Sequence, residues 1–310
     1  MRRWVRRLVR AFLWVSAVLL VPCIGLFFYL RGDKTQVFAQ VAGDFQAGRV
    51  LESESLEGVT IRRVAMENHR GERVAELFIR RPLALTEDYK ILLTYAGLKT
   101  RGGILDLIPQ RDDLVLVAIQ YPYESPKTLA AKLGWPGYLR RTVFRTVAGG
   151  MLATRFLEQQ EGLDLQRLTV MGASLGSPFA VMHGALDERV PRVLVIHGGG
   201  DLPRVLRYYH ANRGRAFEGQ AQALLAEGLV AAFEPLRYVD RIAPRELIII
   251  AAENDRYFPR ESALALYEKA GEPKQLTWTD SGHVRSRNEA LIGEIILQVE
   301  RYLDEGAASP

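Results

Sequence analysis

Gly172-Ala173-Ser174-Leu175-Gly176 is the segment of this chain whose residue types and spacing speak most directly of chemistry. Ten serines and 27 glycines in 310 residues give about 0.08 chance occurrences of G-x-S-x-G. The apolar run Leu168–Met171 precedes it and a helical pattern opens at Leu175, so the motif predicts a tight strand-to-helix turn. Glycines on either side let strand and helix approach closely, while the serine takes a strained backbone conformation. Its hydroxyl then stands at the head of a helix, where the Leu175 N–H can face a developing oxyanion.

A serine hydroxyl needs a base to become a nucleophile. Of the five histidines, His283 lies in Thr277-Trp278-Thr279-Asp280-Ser281-Gly282-His283, after the last strand-like run and before the C-terminal helix. A loop there can reach over Ser174. His69 falls in a hairpin turn, His183 inside the helix after the motif, and His210 in a long insertion. A carboxylate must orient the imidazole. Asp255, after the run Leu247–Ala251, is the favoured acid, with Glu253 its rival. Asp280 reads as a loop carboxylate and Asp240 as a capping or pairing group. His197-Gly198-Gly199-Gly200 resembles an oxyanion motif in its letters, but it follows the serine and reads as a turn. Histidines, carboxylates and Cys23 show no metal-ligand spacing, so no metal or other cofactor is expected.

Ser174, Asp255 and His283, in that chain order and each after a strand, resemble the α/β-hydrolase superfamily over residues 59–304. Phe233-Glu234-Pro235-Leu236 and Asp240-Arg241-Ile242-Ala243-Pro244, ahead of the acid strand, resemble its dienelactone-hydrolase and prolyl-oligopeptidase-like branch. The resemblance implies a Ser-His-Asp triad acting through an acyl-enzyme on an ester or thioester of a small-molecule acyl substrate. It also implies a second oxyanion donor after the run Ile91–Tyr95, at the Leu98 N–H beside Gly97. Ala96 stands where that family often has histidine. A peptidase of the same fold, and a non-catalytic binding or scaffold protein, are the alternatives.

The elements that must position these residues follow from patterning. Val59–Met66 and Arg73–Arg81 alternate apolar and polar residues, as hairpin strands do. Short apolar runs then alternate with helical stretches at 142–160, 175–186, 260–270 and 288–303. That predicts an α/β fold with a mostly parallel twisted sheet and helices on both faces. Residues 201–240 are too long for a crossover and read as a helical cap. The cap's Arg204, Arg207, Arg213 and Arg215, with Tyr208, Tyr209 and His210, read as a solvated face, or else as contacts for an anionic substrate or headgroup. Residues 31–58 read as a connector and 305–310 as a tail.

Composition bounds the rest. At 48% hydrophobic and 25% charged residues the chain is globular, and a single cysteine excludes disulfide scaffolds. The net charge of +5 is uneven: residues 1–34 carry +6 and the other 276 carry −1. A near-neutral body gives no footprint for nucleic acid. Residues 11–30, AFLWVSAVLLVPCIGLFFYL, are uncharged, and about 20 helical residues span a bilayer core. Five arginines precede them, so the segment reads as a transmembrane signal anchor. Residues 1–10 are then cytoplasmic and the body lies on the outer side. The other readings are a signal peptide cleaved after Val37-Phe38-Ala39 and a buried soluble helix. Arg6-Arg7-Leu8 resembles part of a twin-arginine signal. The oligomeric state is left open.

Overall fold

The computed structural model describes residues 32–97, 103–123, 135–220, 231–285 and 287–305, with positions 14, 18, 24, 25, 29, 128 and 223. Its centre is a sheet whose nine described strands run in the order β1-β2-β3-β5-β4-β6-β7-β8-β9. Strands β1 (Phe45–Leu56), β2 (Val59–Asn68) and β3 (Arg73–Pro82) form an antiparallel meander. It joins the rest through β3 against β5 (Leu114–Gln120), also antiparallel. Strands β4 (Lys90–Tyr95), β6 (Leu168–Ala173), β7 (Arg192–Ile196), β8 (Glu246–Ala252) and β9 (Lys274–Thr279) lie parallel to one another and to β5.

The strand order turns back on itself between β4 and β6. From β4 the chain steps outward to β5, and from β6 it steps the other way to β7, β8 and β9. A crevice opens beyond the carboxyl ends of strands at such a switch point. Gly97 follows β4 and Ser174 follows β6, so both candidate loops stand at its rim.

Each central strand is apolar on both sides and sends alternate residues to opposite faces. Leu93, Val117, Val170, Val195 and Ile249 join one cluster, and Leu92, Leu116, Met171, Leu194 and Ile248 join the other. The first face is covered by α3 (Trp135–Glu158), α4 (Ser177–Leu186) and α6 (Arg260–Lys269). On the second face, the described helices are α2 (Ile104–Leu107), only four residues long, and α7 (Glu289–Asp304). Helix α7 follows from its sequence: the Asn288 side chain accepts from the Leu291 N–H at 3.3 Å, and Leu291, Ile295, Val299 and Leu303 form one buried stripe.

The segment expected as a connector, 31–58, belongs instead to the body. It forms α1 (Thr35–Ala42) and the long edge strand β1. Phe38 is fully buried among Phe144, Phe233 and Tyr238, and Asp33 pairs with Arg241 at 2.9 Å. The pattern hid β1 because its outer residues are mostly exposed and polar, as an edge strand's are. Helix α3 is already helical at Trp135, well before the predicted Thr142.

The 201–240 insertion contains α5 (Leu202–Ala211) and short turns at Ala231–Phe233, Pro235–Arg237 and Val239–Arg241. Glu234 ties both its ends by accepting from the Asp201 and Leu202 N–H groups at 2.8 and 2.7 Å. Among the described residues no helix is long and apolar enough to cross a membrane. The stretch 11–30 lies outside the described residues except at five positions. Of these, Trp14, Val18, Ile24 and Tyr29 are helical and exposed.

Candidate active site

Ser174 sits at the first residue past β6, with φ of +54°. An L-residue adopts that left-handed conformation at a cost of about 1–3 kcal/mol, so the surroundings must enforce it. The two motif glycines show how. A Cβ on Gly176 would overlap the Tyr95 carbonyl of β4, and one on Gly172 would crowd the Gly176 carbonyl and Ala180 of α4. Strand and helix are therefore too close for any side chain at either position. Leu175 follows within the turn Ser174–Gly176 that leads into α4, so its N–H belongs to the helix head, where anionic charge is favoured.

His283 lies in the loop between β9 and α7. Its Nε2 is 2.7 Å from Ser174 Oγ, and its Nδ1 is 2.7 Å from Asp255 Oδ2. Asp255 comes from the loop after β8 and is buried; its Oδ1 accepts from the Tyr257 and Phe258 N–H groups at 2.7 and 3.0 Å. An ionised carboxylate only accepts, so Nδ1 carries the imidazole proton. Nε2 is then left with a lone pair for the Ser174 hydroxyl. Sequence left Glu253 as a rival acid. In the structure Glu253 is exposed and pairs with Arg260, away from the imidazole. Asp280 accepts from Asn254 Nδ2 at 3.2 Å and so helps join the two loops.

Several groups that sequence reading did not single out hold this relay. The Tyr257 ring stacks on His283 with centroids 4.5 Å apart and the Phe258 ring lies at 6.0 Å, so aromatic faces flank the imidazole. His197, read from sequence as part of a turn, is buried 6.2 Å from His283. Its Nδ1 accepts from the Val284 N–H at 2.9 Å, and its Nε2 faces Thr279 Oγ1 at 3.3 Å. It thus braces the His283 loop from below. Burial, with the His283 ring beside it, lowers the His197 pKa to about 4, so it stays neutral. The glycines after it are a packing matter: side chains at Gly198, Gly199 and Gly200 would strike Ser177, Ser262 and Leu236. The sequence offered one signal for these groups, the aromatic pair Tyr257-Phe258 two residues after Asp255.

His197, Asp255 and His283 could bring three ligand atoms within 4.8 Å of one another. Those atoms are already committed. Asp255 and His283 hold each other, and both nitrogens of His197 have partners. The donor set suits a proton relay better than a cation.

The insertion closes over the acid loop. Tyr208 donates to the Asp255 carbonyl at 2.9 Å and Asn212 to the Arg256 carbonyl at 3.2 Å. Arg204 pairs with Asp201 and Arg213 lies over the Tyr209 ring, so two of the insertion's arginines serve local contacts. Leu98, the expected second oxyanion donor, lies outside the described residues. Two residues before it, the Ala96 carbonyl accepts from the Tyr121 hydroxyl at 2.5 Å, and Gly97 and Ser174 both line an apolar cavity of about 210 Å³.

No family model and no curated protein matches the sequence. Solved structures do. An acetyl xylan esterase from Paenibacillus sp. R4 superposes with a TM-score of 0.65 at 15% identity, over 88% of this chain and 93% of that one. Acetyl xylan esterase 1 from Thermoanaerobacterium sp. JW/SL YS485 gives 0.64 at 14% identity, over 87% and 93%. The chain has the α/β-hydrolase fold. A glucuronoyl esterase from Solibacter usitatus is similar at a TM-score of 0.54 and 14% identity, over 87% of this chain and 90% of that one. Loops at the carboxyl ends of the central strands form one rim of this fold. Here those loops hold Ser174, Asp255 and His283.

Proposed function

We propose that this chain is a serine hydrolase that cleaves carboxylic esters of small-molecule acyl substrates. The observation that carries this reading is the hydrogen-bonded line Ser174–His283–Asp255, standing at the sheet's switch point beside an apolar cavity. His283 Nε2 takes the Ser174 proton as Oγ attacks the acyl carbon. The oxyanion is held by the Leu175 N–H, with the Leu98 N–H as second donor. His283 then passes the proton to the leaving alkoxide, and an acyl-Ser174 ester remains. Water, deprotonated by His283, attacks that ester, releases the acid and restores the serine. Asp255 stabilises the imidazolium in both halves. A thioester would follow the same course, since thiolate also leaves readily. The esterase names of the structural neighbours favour esters as the bond class.

The reading includes anchoring by residues 11–30, with residues 1–10 cytoplasmic and the body on the outer side. Two observations support an uncleaved leader. Exposed Trp14, Val18, Ile24 and Tyr29 are apolar side chains that lipid would cover. Phe38, next to the candidate cleavage site, is fully buried in the body, so cleavage after Ala39 would pull it from the core.

The test is labelling by a small fluorophosphonate, with hydrolysis of p-nitrophenyl esters, a thioester and a peptide measured beside it. Labelling should map to Ser174 and vanish in Ser174→Ala, with esters turned over faster than the peptide. Folded protein that neither labels nor cleaves any ester would leave the fold without the activity and favour a binding role.

A further inference from the structure

Among the described residues, the helices on the second face of the sheet are α2 and α7, and the cavity at Ser174 lies between them and the sheet. Ile104 and Leu107 of α2 and Ile292, Ile296 and Val299 of α7 line it opposite the strands. Its lining joins the nucleophile to the sheet face and the helices: Ser174, with Met171 and Ile196 near the strand ends, Ile104 from α2, and Ile296 and Leu303 from α7.

Its direction is fixed by α7. That helix starts just past His283 and runs back toward the amino ends of the central strands. There Arg192, first residue of β7, reaches the Tyr302 carbonyl at 2.5 Å, and Lys90, first residue of β4, pairs with Asp304 at 3.2 Å. Ile292, near the start of α7, and Leu303, near its end, both line the cavity. They are about 17 Å apart along a helix axis. A span of that length with apolar walls suits an extended hydrocarbon chain. Polarity enters at the far end, where Glu300 borders the cavity and lies 3.6 Å from Arg111.

The geometry points to an acyl channel: the substrate is an ester of an unbranched medium- or long-chain fatty acid, whose tail runs from Ser174 between the sheet face and α7. The inference rests on the ester-hydrolase reading and goes beyond it by naming the acid half of the substrate. The occupant is argued from continuity, because the channel opens on the nucleophile and its walls are hydrocarbon. Each methylene moved from water into such walls adds about fourfold to transition-state binding.

The experiment is a chain-length series of p-nitrophenyl esters, from acetate to dodecanoate, on the full chain in lipid nanodiscs. For the native protein kcat/KM should climb from acetate through octanoate. Ile292→Trp and Ile296→Trp, at two half-buried positions along the channel, should each lower the octanoate-to-acetate ratio by about tenfold or more. Leu303→Trp, at the far end, should lower only the longest esters relative to hexanoate. Octanoyl monoglyceride in vesicles, run beside the soluble ester, reports the phase from which the chain enters. A preference for acetate in the native protein would overturn it, as would an unchanged ratio in both tryptophan variants. A cooperative melt checks the fold of each variant. Independently of any variant, a structure of the native protein with decyl fluorophosphonate on Ser174 should show the chain inside the channel, and a chain lying outside would sink the idea. Failure to cleave any ester, with Ser174 unlabelled by a small fluorophosphonate, counts against the ester-hydrolase reading instead.

Discussion

At the scale of single residues, the geometry separates two carboxylates that lie two positions apart in sequence. Asp255 is buried against His283 and satisfied by two backbone N–H groups, whereas Glu253 is exposed and pairs with Arg260. Asp255→Asn should lower kcat by about 10³–10⁴, because an amide cannot hold the imidazole in its working tautomer. Glu253→Gln should change kcat less than about fivefold, the scale of an exposed ion pair. Equal losses in the two variants would reverse the assignment. His197 makes a prediction in pH. Its folded pKa of about 4 lies below the ordinary 6.5, because burial and the neighbouring His283 disfavour the cation. A histidine kept neutral stabilises the fold fully above pH 6.5. The contribution fades as pH falls toward 4, by at most about 3 kcal/mol. Protonation would also set the Val284 N–H against a second N–H. Urea midpoints from pH 7 to pH 4 should therefore fall in the native protein and flatten in His197→Asn. Parallel curves would show that His197 does not titrate in that window.

At the scale of elements, the turn after β6 and helix α1 each rest on one close contact. Gly176→Ala would drive a methyl group into the Tyr95 carbonyl, which belongs to a strand that cannot yield. Displacing Ser174 by about 1 Å is enough to cost about 10²-fold in rate. The variant should lose at least that much in kcat even where it still folds, as burst kinetics with a chromogenic ester would show. Helix α1 docks through Phe38, whose ring meets Phe144 with centroids 4.6 Å apart. Phe38→Ala should cost about 3–5 kcal/mol in global stability, read from denaturant unfolding. A loss below about 1 kcal/mol would mean that α1 behaves as the connector its sequence suggested.

At the scale of the whole molecule, the docking of α1 bears on how the body would sit relative to a bilayer. Asp33 pairs with Arg241, and Lys34 donates to the Tyr29 carbonyl at 2.5 Å, so the chain is tied to the body within a few residues of the leader. A reporter fused to the C-terminus, active only outside the cytoplasm, should be active with the native leader. It should fall silent when the five arginines ahead of residue 11 are moved behind residue 30. Reporter activity on the cytoplasmic side with the native leader would overturn the proposed topology.

Much of this molecule was legible before any coordinates, for a physical reason. Runs such as Leu168–Met171 and Leu247–Ala251 are buried on both faces, so their strand character is written in composition alone. The motif around Ser174 was legible because close backbone approach leaves glycine as the only residue that fits. Chain order then narrowed the base and acid to His283 and Asp255 or Glu253. The tertiary structure decided what depends on neighbours distant in sequence. It chose Asp255 over Glu253 by burial. It set His197, 86 positions before His283, beneath the imidazole loop. It turned an exposed, polar connector into an edge strand, because an edge strand needs a partner on one side only and carries little apolar signal. It also left an apolar cavity beside Ser174, between one face of the sheet and α7. A cavity is a property of what fails to fill space, and no local pattern of residues records that.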